Sequence, residues 1–434
     1  MSVGFQIAFA NNTSHEVTLG ATIGSAGDWA AADATRPDKG IKNLTVAPFS
    51  TSAPLHLERH DERATAPFTV TATFADGSHE VFELDGCDAT QKKNDREVPA
   101  GSASSGRTSV LQVTADAQVS DWNLMTIYFT PYVPTTDWMG TLAGDPTLLH
   151  ITIPGTHDTA TYLGYGGSSA QCQTMDIAAQ LAAGVRFMDL RLVVNGQDLS
   201  IYHGSANQHV SFKNDVLPAI VDFLNKHPTE CVVICVNHAN NGEASYDALL
   251  HDILMQGVPQ NKLYDHNDAN AFPLKVKGLG GCLVLARRDS EMTYGIDMTR
   301  WPDNTPNQTF DAATGMKVTL QDNYHWTDLA GAWNNKWNVV SPFLELARMT
   351  PPNYSSDASK TWFINFTSAS GIVVPWDFAT GAVGNLGINY RLARDLVKYS
   401  SRDGRLGTVV MDFPEEPGKG LLLARLLLGT NTYV

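Results

Sequence analysis

Leu148-Leu149-His150-Ile151-Thr152-Ile153-Pro154-Gly155-Thr156-His157-Asp158 is an apolar run that stops at a Pro-Gly pair and delivers two ionisable groups. Such a short run reads as a buried strand punctuated by turn residues. The same theme recurs downstream. Strand-like runs fall at 185–193, 199–203 (across an Asn195-Gly196 turn), 231–237, 282–286, 317–321, 361–366 and 407–413. Helix-like periods lie between them at 175–183, 210–226, 244–255, 329–348 and 389–399. Alternating β and α over this length predicts a closed or nearly closed TIM-type (β/α) barrel spanning 148–434. An open doubly wound sheet is the alternative, but no Gly-x-Gly-x-x-Gly turn opens its first crossover.

Outward from that stretch, residues 1–131 alternate apolar and polar positions in short runs with no helical period. Turns such as Asn11-Asn12, Ala75-Asp76-Gly77 and Gly101-Ser102 separate them. The pattern predicts an all-β sandwich. Pro131 and Pro134 end it, leaving 132–147 as a linker. The sandwich carries no chemical motif. An accessory lipid- or glycan-binding module and a purely structural cap are both open for it.

Composition excludes several classes. With 43% hydrophobic and 17% charged residues, the 434-residue chain is neither disordered nor fibrous. A net charge of −15 leaves no basic face for a polyphosphate, so nucleic acid is not an expected partner. No apolar run is long enough to span a bilayer. The first residues lack a basic, apolar secretory leader, which suits either a cytoplasmic protein or a mature form with a new Met. Cys231 and Cys235, four apart on a strand, would have Cα atoms about 13 Å apart, too far for a disulfide. The five cysteines read as buried thiols.

In a β/α barrel the chemistry gathers where strands end. Here the ends present His157-Asp158, Asp189 with Arg191, His203, Asn237-His238, Arg287-Arg288-Asp289, Asp322-Asn323-Tyr324 and Asp412. Alternation places Asp189 and Arg191 on one face. Two histidines with an Asp would also suit a zinc site with an open position, which remains an alternative at this point.

The motifs Ile153-Pro154-Gly155-Thr156-His157-Asp158-Thr159, Arg186-Phe187-Met188-Asp189-Leu190-Arg191, Tyr202-His203-Gly204, Val284-Leu285-Ala286-Arg287-Arg288-Asp289-Ser290, Gln321-Asp322-Asn323-Tyr324 and Ile364-Asn365-Phe366-Thr367-Ser368 resemble the bacterial phosphatidylinositol-specific phospholipase C family. The likeness is to its X-type catalytic domain and covers residues 148–425. It implies a distorted, incompletely closed TIM-type (β/α) barrel and a phosphorus–oxygen lyase. The expected reaction cleaves phosphatidylinositol to diacylglycerol and inositol 1,2-cyclic phosphate.

The resemblance also implies roles. His157 matches the base, His203 the acid, Asp412 the carboxylate that orients the base and Asp158 the carboxylate coupled to the acid. Arg191 takes the position that calcium-dependent relatives give to an acidic residue, which implies metal independence. Calcium is the less favoured cofactor alternative, with a calcium-dependent phosphodiesterase as the enzyme that would use it. Asp189, Arg288, Asp322 and Tyr324 match head-group contacts, with Arg288 preferred to Arg287. Asn237 stands where the family carries Lys, so a positive charge is missing unless His238 supplies it. The loop with Val373, Val374 and Trp376 matches an interface-inserting loop. The partner implied is a phosphatidylinositol-containing membrane met peripherally by a monomer, with glycosyl-phosphatidylinositol anchors as a further substrate class. The same resemblance implies secretion. An inactive lipid- or glycan-binding barrel is the non-enzymatic alternative.

Overall fold

The structure is a computed structural model. It describes residues 3–13, 16–23, 29–31, 41–52, 55–59, 68–74, 77, 79–84, 97–98, 108–119 and 122–131. From 133 onward it describes all but 240–244, 265–273, 289–294, 313–314, 351–359, 383, 400–404 and 418–420. The expected turns at Ala75-Asp76 and Gly101-Ser102, together with Cys87 and Asp289, lie outside the described residues.

Seven strands carry the second half of the chain: β1 (Ile153–Thr156), β2 (Phe187–Asn195), β3 (Val232–His238), β4 (Leu283–Arg287), β5 (Lys317–Gln321), β6 (Thr361–Phe366) and β7 (Thr408–Met411). They pair in parallel in the order β4-β3-β2-β1-β7-β6-β5. One side chain from every strand (Ile153, Phe187, Val233, Val284, Val318, Ile364, Val410) enters a single buried cluster. A flat sheet could not bring its two outer strands into one core, so the sheet curls into a barrel-like wall. It does not close: β4 pairs onward with Leu263–Tyr264 and Ile296–Asp297, and β5 with the antiparallel Gln308–Asp311. The opening lies between β4 and β5.

The intervening residues Met188, Leu190, Val232, Ile234, Leu283 and Leu285 face outward into a second cluster. There they meet α1 (Ile177–Ala182), α2 (Leu217–Lys226) and α3 (Tyr246–Gly257). On the other side lie α4 (Ala332–Met349), α5 (Pro375–Thr380), α6 (Ile388–Leu396) and α7 (Leu422–Gly429). The helix expected over 210–226 is in fact three pieces. Ala206–Ser211 is a strand paired with Asp198–His203, a π turn follows at Phe212–Val216, and only then does α2 begin. Ser211 accepts from the Asn214 amide, and Pro218, which has no N–H to leave unpaired, occupies the first helical turn. Among the described residues no helix is long and apolar enough to cross a membrane.

Residues 133–147 pack under the barrel. Trp138, Met139 and Leu142 are buried in the interior cluster. Buried Arg186 binds Glu230 through Nε (3.0 Å) and a terminal nitrogen (2.8 Å). Arg186 also donates to the Thr135 and Thr136 carbonyls, and Glu230 accepts from the Met139 and Gly140 amides. The ion pair thus ties the connecting segment to the floor.

The N-terminal region forms a seven-stranded sheet and a four-stranded sheet. Val3–Asn11 and Trp122–Pro131 pair in parallel within the larger one. It docks on the barrel helices: Ala10 and Tyr128 share a core with Leu392, Leu396, Leu422 and Leu426. Asn12 Nδ2, fully buried, donates to the Leu396, Val397 and Tyr399 carbonyls at 3.0–3.3 Å.

Cys172, Cys231 and Cys235 are buried thiols, whereas Cys282, at the start of β4, is half-buried.

Candidate active site

The inward register of β1 and β7 continues one residue past each strand, and that of β2 runs within the strand itself. Ile153 and Gly155 lead to His157, Phe187 leads to Asp189 and Arg191, and Val410 leads to Asp412. These side chains therefore meet at the carboxyl mouth. His157 Nδ1 lies 2.8 Å from Asp412 Oδ1, and its Nε2 lies 3.0 Å from an Arg191 terminal nitrogen. Arg191 Nε is 2.8 Å from Asp158 Oδ1, while His203 Nε2 is 3.2 Å from Asp158 Oδ2. Asp158 thus bridges the guanidinium and the second imidazole. Two non-glycine residues at positive φ, Asp158 (40°) and Phe413 (45°), flank the cluster; such strain costs on the order of 1–3 kcal/mol each and collects at functional sites. Asn389 on α6 braces one of them, donating to the Asp412 and Phe413 carbonyls at 2.9 Å.

Burial works against charge on His157, but Asp412 and Asp158 outweigh it and hold the imidazole well above its ordinary value. Burial pulls His203 down more than Asp158 lifts it. Asp158 itself is buried, yet Arg191 and the two histidines keep its carboxyl below the usual range. Asp412 is raised by burial, with His157 opposing. The proton shared by the two histidines is therefore favoured on His157 in the free site. The contact from Arg191, a group that only donates, exists when Nε2 is unprotonated and Nδ1–H donates to Asp412.

A second group lines the mouth toward the opening. Arg288 lies 3.5 Å from Asp189 Oδ1, and its guanidinium stacks 4.3 Å from the Trp301 ring. Trp301 Nε1 donates to Asp322 Oδ2 at 3.0 Å, and Tyr324 donates to Asp303 Oδ1 at 2.9 Å. Burial raises the Asp322 carboxyl against the pull of Arg288. Arg287, one residue back, points away and lies 3.5 Å from Asp297. Asn237 sits beside Arg191 in register. His238 takes the opposite face, buried and stacked on Tyr246 at 4.2 Å, so it does not replace the missing cation in the mouth.

The rim loop divides differently from expectation. Val373 is 7% exposed and packed with Trp333 and Phe378, so it is not offered to a surface. Val374 precedes α5 as its cap. Ile372 (56%) and Trp376 (37%) are the exposed apolar side chains, and Trp376 meets Phe413 edge-on at 4.9 Å.

Sequence reasoning missed Trp301, Asp303 and Lys336. The Trp301-Pro302-Asp303-Asn304 turn was the available signal for the first two. Lys336 lies in the second turn of α4 between Asn334-Asn335 and Trp337-Asn338, and nothing in that sequence announces that it reaches the Asn323 carbonyl at 2.8 Å. Full burial drops its ammonium to about 7. Cys172 sits against the His157–Asp412 pair, its thiol pushed up to about 12 by burial.

Among the described residues three triads bring donor atoms within 4.8 Å: His157–Cys172–Asp412, Asp158–Cys172–His203 and His157–Asp158–Asp189. None suits calcium, which takes six to eight oxygens. Arg191 also places a fixed positive charge among them.

Two imidazoles, each backed by a carboxylate, and a guanidinium at the mouth of a β/α barrel-like fold have the parts needed to move a phosphoryl group by acid–base chemistry. The family model "Phosphatidylinositol-specific phospholipase C, X domain" matches residues 148–279. A 1-phosphatidylinositol phosphodiesterase of Listeria monocytogenes is 27% identical over 296 residues, covering 65% of this chain and 83% of that one. One from Staphylococcus aureus is 24% identical, covering 64% and 88%. A variant of phosphatidylinositol-specific phospholipase C from Staphylococcus aureus superposes with a TM-score of 0.57 at 20% identity, covering 69% of this chain and 98% of that one. The Listeria monocytogenes structure does so at 0.52 and 24%, covering 69% and 100%. Residues 148–279 match the X domain, and the β/α part of the chain is similar along most of its length to bacterial phosphatidylinositol-specific phospholipases C.

Proposed function

We propose that this protein is a phosphatidylinositol-specific phospholipase C that releases diacylglycerol and inositol 1,2-cyclic phosphate. The observation that supports this reading best is the convergence of His157, Arg191 and His203 on one buried carboxylate, Asp158. In the neutral tautomer held by Asp412, His157 Nε2 takes the proton of the inositol 2-hydroxyl as its oxygen attacks phosphorus. His203 gives a proton to the departing glycerol oxygen, and Arg191 offsets charge on the non-bridging oxygens. The nucleophile is tethered to the phosphate it attacks, so proximity contributes without an activated water. No step calls for a metal ion.

Asp189, Arg288, Asp322 and Tyr324 are assigned to the inositol ring, with Trp301 as an added aromatic wall. Asn237 contributes an amide in place of a cation, so contacts to the ring hydroxyls there are neutral. Ile372 and Trp376 are assigned to the membrane surface, and the enzyme works there as a peripheral monomer. Glycosyl-phosphatidylinositol anchors carry the same head-group linkage and form a second substrate class.

For residues 1–131 the two sheets are assigned to a sandwich. Phe9 from one and Val17, Leu19, Val46 and Ala72 from the other are buried, and Asn11 Nδ2 donates across to the Val46 and Ala47 carbonyls.

The test is turnover of phosphatidylinositol in detergent micelles by the full chain and by His157→Leu. Full activity is expected in the first and none in the second, with the same circular dichroism. Turnover surviving in His157→Leu would refute the assignment.

A further inference from the structure

The N-terminal sheet and the barrel enclose a cleft of about 470 Å³ on the flank formed by α4 and α6. We propose that this cleft is a second binding site, separate from the catalytic mouth, for a phosphomonoester, with Arg391 and Arg394 as its anion-holding pair.

The two arginines are one turn apart on α6, so they share a face, and both line the cleft. Among the described residues neither meets a carboxylate. Arg391 donates to the Leu386 carbonyl and to Asn334 Oδ1, both neutral. Asp395 also lines the cleft, but Lys398 holds one of its oxygens at 2.8 Å and Ser341 donates to the other. Two like charges are thus held side by side in a chain whose net charge is −15. Burial and then the neighbouring Arg394 both work against the charge on Arg391, an arrangement that a bound dianion relieves.

The remaining wall gives the ligand a shape. Trp337, half-buried on α4, and Tyr128, from the N-terminal sheet, supply aromatic surface, and Thr126 and Ser52 supply hydroxyl groups. Arg394 lies near enough to Tyr128 to oppose the rise that burial imposes on its phenol. An aromatic wall, hydroxyls and paired guanidinium groups fit a phosphate carried on a polyol or sugar ring. A volume of this size at a junction of two structural units is typical of small-molecule sites. Such a site also gives the N-terminal region a role, since without its sheet the arginines would face open water.

The phosphate can come from a soluble phosphorylated polyol or from a lipid head group. The test is a binding measurement and does not depend on the catalytic assignment. Full-length Arg191→Gln protein, with the catalytic guanidinium removed, is titrated with inositol 1-phosphate by calorimetry, and its co-sedimentation with phosphatidylcholine vesicles containing phosphatidic acid is measured. Both are repeated with Arg391→Gln and Arg394→Gln added. At least about a tenfold weakening in the first arm supports the site with a soluble ligand. The same loss in the vesicle arm alone supports the site with a lipid source. Affinities unchanged by the added substitutions in both arms, or no binding in either, overturn the proposal. Arg394 is exposed, so Arg394→Gln alone, expected to weaken binding several-fold, keeps the test valid if the double change disturbs folding.

Discussion

An Arg191 terminal nitrogen stands 3.0 Å from His157 Nε2, and in the neutral tautomer it donates to the atom that must accept the substrate's proton. The arrangement is stable because Asp158 holds the guanidinium Nε at 2.8 Å and Asp412 holds the far side of the imidazole at 2.8 Å. A phosphodiester entering the mouth competes for the same guanidinium, so substrate binding draws Arg191 from Nε2 and frees the base as the anion arrives.

Replacing Arg191 should therefore damage the transition state more than binding. Arg191→Gln is expected to lower kcat/KM by about 10²–10³ while changing KM far less, since one oxyanion-stabilising donor is typically worth that much. Adding calcium to the variant should restore nothing. Steady-state assays with and without the ion check both points.

The pH profile follows from the opposite displacements of the two histidines. The working form needs His157 neutral and His203 protonated, yet His157 is the stronger base of the pair. Activity is then level between the two titrations. It falls in acid when both rings are protonated and in alkali when the shared proton, held mainly by His157, is lost. Asp412→Asn removes a negative neighbour and lowers His157. The alkaline limb of kcat/KM should move to lower pH, with activity on the order of 10³-fold lower because the orienting carboxylate is gone. A profile whose alkaline limb stays in place in the variant would contradict this ordering.

Glu230 tests what holds the connecting segment. It is fully buried, paired with Arg186 and accepting from the Met139 and Gly140 amides. Glu230→Ala leaves a buried guanidinium without its counter-charge, held by carbonyls alone, and two amides without an acceptor, and should cost about 3–5 kcal/mol in denaturant unfolding. The conservative Glu230→Gln should cost less but remain destabilising.

Membrane contact is assigned to two side chains only. Ile372→Ala with Trp376→Ala should weaken vesicle binding and slow turnover on vesicles, while turnover in detergent micelles changes little. Val373→Ala should instead lower thermal stability, because its side chain packs against Trp333 and Phe378. Vesicle sedimentation and thermal melts separate the two outcomes.

Much of this site was legible because strand alternation is strict. Once the 185–193 run is a strand, Asp189 and Arg191 must share the face opposite Leu190. The preference for Arg288 over Arg287 came from the family resemblance alone, and the inward Ala286 two residues before Arg288 agrees with it. The start of 210–226 was not legible: the apolar spacing of Val210, Phe212 and Val216 does not separate a strand end and a π turn from a first helical turn. Val373 misled because composition does not tell a loop side chain turned inward onto Trp333 and Phe378 from one turned outward. The opening between β4 and β5 is set by long-range pairing that no local pattern reports. Lys336 was invisible because its partners, the Gln321 side chain and the Asn323 carbonyl, lie thirteen to fifteen residues away on another element.

The most direct test of a metal-free, two-histidine transfer is the phosphorus NMR spectrum of the product formed from phosphatidylinositol in excess chelator. The expected first product shows the resonance of a five-membered cyclic phosphodiester, formed at the rate seen without chelator. A spectrum that passes straight to a phosphomonoester, or no product until calcium is returned, would contradict it.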